Sequence, residues 1–541
     1  MLAGAFLLLL QAGAVPTSAS QSIRRDQDIL AYTIALSIPD TGTSVVGRTT
    51  VRYAVRGGQW PLVLDFDRAL VVDSITTGGA PSRQIERWTW LTDDEHAAIA
   101  IRYWGAPGDT LEVTVHYHGS PRDGLFIQDN VHGERTAFAD NWPNRARHWF
   151  PGEDHPSDKA TATFVVEVPA GWRAVANGLL EGVDTLPGGR TVWRWRESRP
   201  IPTYTMVVGA GALTVADMGM AAGVHQTLWT FPQDSAFAVD GPFRRVNAIV
   251  DTLTAIVGPF PYGKLAHVES STRFGGMENS SAIFYGERGY AARTMSEPLV
   301  VHEVAHQWFG DAVTPHDWHH LWISEGFATY FAALFYERVG EDSLFKARMA
   351  QARQNYLASS VVDRPVIDPS EADLMALLNA NNYLKGAWVL HMLRREIGDS
   401  VFFDALREYY ATYRDSTALT RDLAALTSRR AGRQLAWFFR QWLYEPGYPR
   451  LEATWSHDAE SGALHLAVKQ VQPGHWGSFR LKLPVAVELP SGATQRAEVE
   501  VSGRESAVEV GTFAVRPARV VLDPDGELLL EVVSVEEGRR E

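Results

Sequence analysis

The apolar residues of this chain change period twice, which divides its 541 residues into three units of different secondary structure. From about Asp28 to about Ala212 apolar and polar residues alternate, as in ILAYTIALSI (29–38), TTVRYAV (49–55), TLEVTVHYHG (110–119) and TVWRWRE (191–197), with Gly-Gly and Asn-Gly turns between such runs. A period of two puts successive side chains on opposite faces of a strand, so this stretch predicts an all-β domain. From about Phe243 the period lengthens: PFRRVNAIVDTLTAIVG, YLKGAWVLHMLRREIG and SVFFDALREYYATYR carry apolar residues at helical spacing and stop near glycine or a polar turn. After FFRQWLYEPGYPRLEA (438–453) alternation returns in ALHLAVKQV, FRLKLPVAVEL and RVVLDPDGELLLEVV, as in a small β-sandwich. The chain therefore reads as multidomain α+β: an N-terminal β domain over 22–212, a mainly helical domain over 213–447 and a C-terminal β-sandwich over 448–541.

Composition narrows the chemistry. A formal charge of −14 with no long run of Lys and Arg argues against a nucleic-acid partner. With no cysteine there is no disulfide framework, no thiolate ligand and no cysteine nucleophile, so any metal must be held by His, Asp or Glu. At the N-terminus, LAGAFLLLLQAGAV is an apolar run followed by small residues, with cleavage points after Ala14 or Ala19. Residues 1–21 read as a signal peptide and short leader, although no Lys or Arg precedes the apolar run. The run is too short for a bilayer, and no later segment approaches the ~20 apolar residues of a membrane helix. The expectation is an exported protein, periplasmic or extracellular, with no stable membrane span.

SEPLVVHEVAHQWFGD (296–311) predicts a helix, with Ser296 at the N-cap and Glu297 and Pro298 in the first turn. Positions i and i+4 share a helix face about 5–6 Å apart, so His302 and His306 can aim ring nitrogens at one ion. Glu303 is offset around the helix, where it can reach a water at the ion rather than the ion itself. The plainer alternative is a surface helix that happens to carry two histidines. Gly310 and Pro315 then stop the helix, and LWISEGFATYFAALFYERVG (321–340) predicts a buried helix with Glu325 on its early, otherwise apolar turns. A buried carboxylate needs a partner, and ligation of zinc completes a His302, His306, Glu325 set with one open position, as in catalytic rather than structural zinc sites. His316, His319 and His320 fall in the connecting loop and read as solvated loop histidines.

Five segments in order carry a family resemblance: FPGEDHPSDKA (150–160), GGMEN (275–279), HEVAHQWFGD (302–311) with Glu325 downstream, NYLKGAWVLHML (382–393) and FFRQWLYEPGYP (438–449). Together they resemble the aminopeptidase N family of zinc exopeptidases, which includes the leukotriene hydrolases. The resemblance implies a saddle-like N-terminal β domain, a thermolysin-like catalytic domain and a small β-sandwich. It implies one zinc per chain, Glu303 as general base and Tyr383 as the oxyanion donor. It also implies a substrate-binding segment Gly275, Gly276, Met277, Glu278 and Asn279, in which Glu278 anchors the free amino terminus of a peptide. On residue type alone Tyr383 is equally a core tyrosine and Glu278 equally an exposed acid.

The sequence departs from the family pattern at three places. Gly152 and His155 stand where the family has cysteine and glutamate, a change expected to be structural. DNWPNRAR (140–147) replaces the family's Gln-x-Glu or Gln-x-Gln segment, leaving Asp140 or Asn141 as substitutes for an amine-binding group. Ser280 and Ser281 replace a bulky residue and glycine. The leading expectation is a zinc aminopeptidase acting on peptides with a free amino terminus. A zinc endopeptidase or epoxide hydrolase on the same site, and a catalytically silent binding scaffold, are the alternatives; a pure binder has no physical need for Glu303.

Overall fold

The computed structural model describes residue 24 and residues 26–57, 62–78, 87–91, 97–102 and 105–538. The leader expected over residues 1–21 lies outside them. The alternating N-terminal stretch forms a seven-stranded sheet built on a parallel pair, Gln27–Ser37 beside Lys159–Val168, with antiparallel strands on either side. Along Lys159–Val168 every second residue is buried, which sends Phe164 and Val166 to the core. A four-stranded sheet from residues 125–139, 173–176 and 208–211 and a three-stranded sheet from 62–65, 87–91 and 98–102 complete this β-rich domain.

The second unit opens with a five-stranded sheet that the sequence pattern does not reveal. Its strands run in the order Thr214–Ala221, Val224–Thr230, Lys264–Ser270, Ala282–Gly286 and Gly276–Met277. Every residue of Lys264–Ser270 and Ala282–Gly286 is buried, so these strands have no wet face and no alternation to read. The short strand Gly276–Met277 closes the sheet as an antiparallel edge, with Gly276 opposite Tyr285.

Helices follow where the helical period predicts them, among them Val246–Val257, Glu297–His306, Trp322–Arg338, Gly386–Ile397 and Asp399–Tyr413, and a further helix, Asp342–Leu357, follows the buried one. Ser296 has the extended backbone of an N-cap, but its hydroxyl makes no capping bond; Pro298 in the first turn marks the start. Trp322–Arg338 is buried on nearly all sides and packs directly against Glu297–His306. No helix among the described residues is long and apolar enough to cross a membrane.

The C-terminal unit is a four-stranded sheet and a three-stranded sheet, with alternate residues such as Leu451, Trp455, Leu464 and Leu466 of one and Leu483, Val485 and Val487 of the other buried. The first domain is tied to the second beside the histidine helix. Lys159 Nζ donates to the carbonyls of Asp311 (2.8 Å), Ala312 (3.0 Å) and Ser416 (3.3 Å). In the same first-domain motif Gly152 packs under the Tyr32 hydroxyl, and His155 is buried with Nδ1 2.7 Å from Ser157 Oγ, so both departures have structural partners.

Candidate metal centre and active-site cleft

The histidine helix and the buried helix beside it bring three donor atoms to one point. His302 Nε2 and His306 Nε2 are 3.1 Å apart, and Glu325 Oε2 lies 3.2 Å from the first and 3.3 Å from the second. A tetrahedral zinc with bonds of about 2.0–2.1 Å separates neighbouring donors by about 3.3 Å, so the arrangement fits that ion. His306 Nδ1 is 3.1 Å from the Phe309 carbonyl and 3.0 Å from Ser324 Oγ. A ring proton on Nδ1 satisfies the carbonyl and leaves the Nε2 lone pair facing the site. Burial disfavours charge on His306, but Glu325, Glu278 and Glu303 outweigh it and raise its pKa to about 10. The surroundings therefore call for positive charge at this point, which a divalent cation supplies.

Glu303 is 4% exposed, and its Oε2 has no hydrogen-bond partner. Burial, opposed by His306 and reinforced by Glu278 and Glu325, holds its carboxyl well above the usual carboxylate range, so the side chain can carry a proton. The edge strand makes room for it: a Cβ on Gly276 would overlap Glu303 Oε1 and Cδ and stand 2.8 Å from Cγ. A bare glycine lets the carboxylate lie against the strand that lines the cleft.

Tyr383 sits in a wide helical turn, Asn381–Lys385, that leads into Gly386–Ile397. Its ring lies parallel to that of His302, 6.0 Å between centroids. Burial and the neighbouring Glu325 keep its phenol protonated and able to donate. A close approach of two backbones places it there: a Cβ on Gly326, the residue after Glu325, would stand 2.9 Å from Gly386 Cα. The glycine pair lets the glutamate helix and the tyrosine helix touch.

Glu278 is 6% exposed, and its carboxylate lies with those of Glu303 and the His306 ring in a group whose donor atoms are all within 4.8 Å of one another. Burial first, with help from Glu325 and opposition from His306, pushes its pKa up to about 7. Gln307, one residue past the histidine helix, donates to the Glu278 carbonyl (2.6 Å) and to Asp311 Oδ2 (2.9 Å), fixing the glutamate's backbone to that helix.

These groups open onto a cavity of about 760 Å³. Gly275, Gly276, Met277 and Glu278 line it, together with His302, Glu303, His306, Glu325 and Tyr383. Asn279 does not: it is fully buried below the strand, with neither amide atom partnered. Trp142 and Phe274 also line the cavity, as does one side of the helix Asp342–Leu357, including Arg348, which sequence reasoning passed over.

Asp140 and Asn141 do not line the cavity. Asp140 is ion-paired with Arg145, and Asn141 is consumed by the carbonyls of Thr203 (3.0 Å) and Met206 (2.6 Å) and the Trp149 indole (2.8 Å). Trp142, between them and the edge strand, takes the cleft position. His316, His319 and His320 are half-buried rather than solvated, bonded through Nδ1 to Thr417, Asp317 and Thr420. A second cluster, His132, Asp234 and Glu269, already contains a cation: Arg293 takes Asp234 Oδ1 (2.8 Å) and His132 takes Oδ2 (2.7 Å).

Comparison with known proteins agrees with this geometry. The Peptidase M1 N-terminal domain matches residues 29–205, and the Peptidase family M1 domain matches residues 246–442. Aminopeptidase M1-B of Oryza sativa subsp. japonica is 29% identical over 391 residues, 67% of this chain and 44% of that protein. Aminopeptidase N of Lactococcus lactis subsp. lactis is 30% identical over 331 residues, 57% of this chain and 38% of that protein. The chain thus spans less than half the length of these relatives. Among solved structures, the M1 zinc metallopeptidase from Deinococcus radiodurans superposes with a TM-score of 0.66 at 28% identity, covering 77% of this chain and 93% of that one. A mutant of the Deinococcus enzyme has been solved bound to a Tyr-Ser-Ala substrate, with a TM-score of 0.66 at 26% identity over 77% of this chain and 94% of that one. With both domain matches in order and the His302, His306, Glu325 donor set in place, the chain belongs to the M1 family of zinc metallopeptidases.

Proposed function

We propose that this protein is a zinc aminopeptidase that removes single residues from the amino terminus of peptides. One observation carries the reading: Glu278 is a buried carboxylate in the cleft beside the metal centre, and among the described residues no lysine or arginine pairs with it. A buried anion is costly without a partner, and the ammonium group of a substrate supplies one. That charge distinguishes a free amino terminus from an internal peptide bond. The names of the matching relatives and the tripeptide held by the Deinococcus mutant support the same reading.

The chemistry follows from the positions of the side chains. His302, His306 and Glu325 would hold the zinc, which would supply Lewis acidity toward a water and the scissile carbonyl. Glu303 takes the proton of the attacking water and hands it to the leaving amine. Tyr383 donates a hydrogen bond to the carbonyl oxygen as charge develops there. The segment Gly275 to Glu278 offers the unpaired side of an edge strand to an extended peptide, with Asn279 as buried support behind it. The apolar run before Ala14 and Ala19 supports export, which amino-terminal sequencing of the protein recovered from outside the cytoplasm tests.

Glu278→Ala tests the amine anchor. The variant should keep its zinc and lose about 2–4 kcal/mol of transition-state binding in kcat/KM on free-amine substrates, the range for removing one partner of a buried charged pair. Unchanged kcat/KM in a zinc-loaded Glu278→Ala variant rejects the anchor and favours the endopeptidase alternative.

A further inference from the structure

The wall of the cleft formed by the helix Asp342–Leu357 holds a charge that the proposed chemistry does not use. Arg348, on the helix Asp342–Leu357, is the single Lys or Arg among the described residues lining the cavity. It is half-buried, among the described residues it makes no ion pair, and its Nε is buried without a hydrogen-bond partner there. Neighbouring arginines are committed: Arg245 to Glu297 at 2.5 Å, Arg394 to Glu337 at 2.8 Å and Arg353 to Asp523 at 3.4 Å.

Arg348 is nonetheless held in place. Its guanidinium carbon lies 4.7 Å from the ring centroid of Tyr336, whose hydroxyl donates to Glu297 Oε1 at 3.0 Å. Glu297 and Glu341 both pair with Arg245, and among the described residues no carboxylate pairs with Arg348. A guanidinium that lines a cleft with no ion-pair partner among the described residues matches a planar carboxylate.

The cleft therefore carries both signs of charge, with Glu278, Glu303 and Glu325 beside the metal centre and Arg348 on the helix Asp342–Leu357. Its floor is the helix Trp322–Arg338, where Thr329, Ala332 and Ala333 line the cavity on the same face as Glu325. Residues 325 and 336 are 11 positions apart, about 16 Å at the α-helical rise. An extended peptide advances about 3.3 Å per residue, and the arginine side chain reaches back along this path, so about three to five residues span the two charges. With the amine at Glu278 and the scissile carbonyl at the metal centre, the remainder of the substrate runs away from Glu278, toward this helix.

Resting on the aminopeptidase reading, we propose that Arg348 binds the free carboxyl terminus of short peptides, making the enzyme selective for oligopeptides of about three to five residues. The test uses zinc-loaded protein and free-amine tetrapeptides in three forms: the free acid, the carboxy-terminal amide, and an amide with aspartate as the last residue. The free acid should exceed the plain amide in kcat/KM by roughly tenfold, mainly through KM. That ratio should fall to about one in Arg348→Gln and invert in Arg348→Glu, a reversal that a merely structural role does not produce. Equal rates for acid and amide in the unaltered protein overturn the assignment, as does an acid preference that survives Arg348→Gln. If the aspartyl amide matches the free acid, a side-chain carboxylate rather than the terminus is recognised, which also overturns it. Leucine p-nitroanilide, which has no carboxylate, separates the two readings. Failure to cleave it or any free-amine peptide rejects the aminopeptidase; cleavage of all of them without acid preference rejects only the role of Arg348.

Discussion

Gly276→Ala is a one-carbon change that should disable the enzyme without touching a ligand or the proposed base. The added Cβ would overlap Glu303 Oε1 and Cδ and approach Cγ to 2.8 Å. Gly276 does not have a positive φ, so alanine meets no backbone strain, and the contact alone decides the outcome. Restoring van der Waals separation requires the carboxylate or the edge strand to move by about 1 Å, and misplacing a catalytic group by that much reduces turnover by about 10²-fold. The loss should appear in kcat for a small aminoacyl anilide at saturation. Zinc, measured by elemental analysis, should stay at the unaltered level, because the three atoms nearest the new methyl all belong to Glu303 and none to a metal ligand. Gly275→Ala, whose Cβ meets nothing within 4 Å, gives the baseline for adding a methyl group to the same segment. A Gly276→Ala enzyme with kcat within about threefold of that baseline would refute the argument that this glycine shapes the base.

Further predictions concern the remaining groups of the site. Glu303→Gln should retain zinc and the thermal transition yet lose several orders of magnitude in kcat, because an amide cannot accept the water's proton; near-normal turnover would assign the base elsewhere. Tyr383→Phe should lower kcat by roughly 10²–10³ with little change in zinc content, the effect of removing one oxyanion donor, and a change confined to KM would contradict that role. His306→Ala should abolish stoichiometric zinc in protein purified without added metal, since two remaining donors do not complete the set; one zinc per chain in that variant would remove the site as drawn.

Much of the site was legible because its chemistry is written at short range. His302 and His306 are one helical turn apart, and the burial of Glu325 follows from the apolar residues around it. Tyr383 and Glu278 were not legible by physics alone, since a tyrosine before a helix and an acid beside glycines have many uses. Their place depends on long-range packing: the Gly326–Gly386 approach for one and the Gln307 bond to the Glu278 backbone for the other. The central sheet escaped notice for a different reason. Lys264–Ser270 and Ala282–Gly286 are buried throughout, and alternation is a signal only where one face is wet. Asp140 and Asn141 looked available as amine-binding groups, yet Asp140 is tied to Arg145 and Asn141 to Thr203, Met206 and Trp149, outside the cleft, which a linear reading does not reveal. Arg348 escaped for the opposite reason: one of two arginines on a polar helix acquires meaning only when the fold puts it in the wall of the cleft with no ion-pair partner among the described residues.

The order in which bonds are cut tests the whole account most directly. Zinc-loaded protein is incubated with one hexapeptide, free at its amino terminus or acetylated there, and the products are followed by mass spectrometry. The account predicts stepwise loss of single residues from the amino end of the free peptide and no detectable cleavage of the acetylated one, because only the free peptide offers a charge to Glu278. Internal cleavage products appearing first, or similar rates for the two peptides, would contradict it.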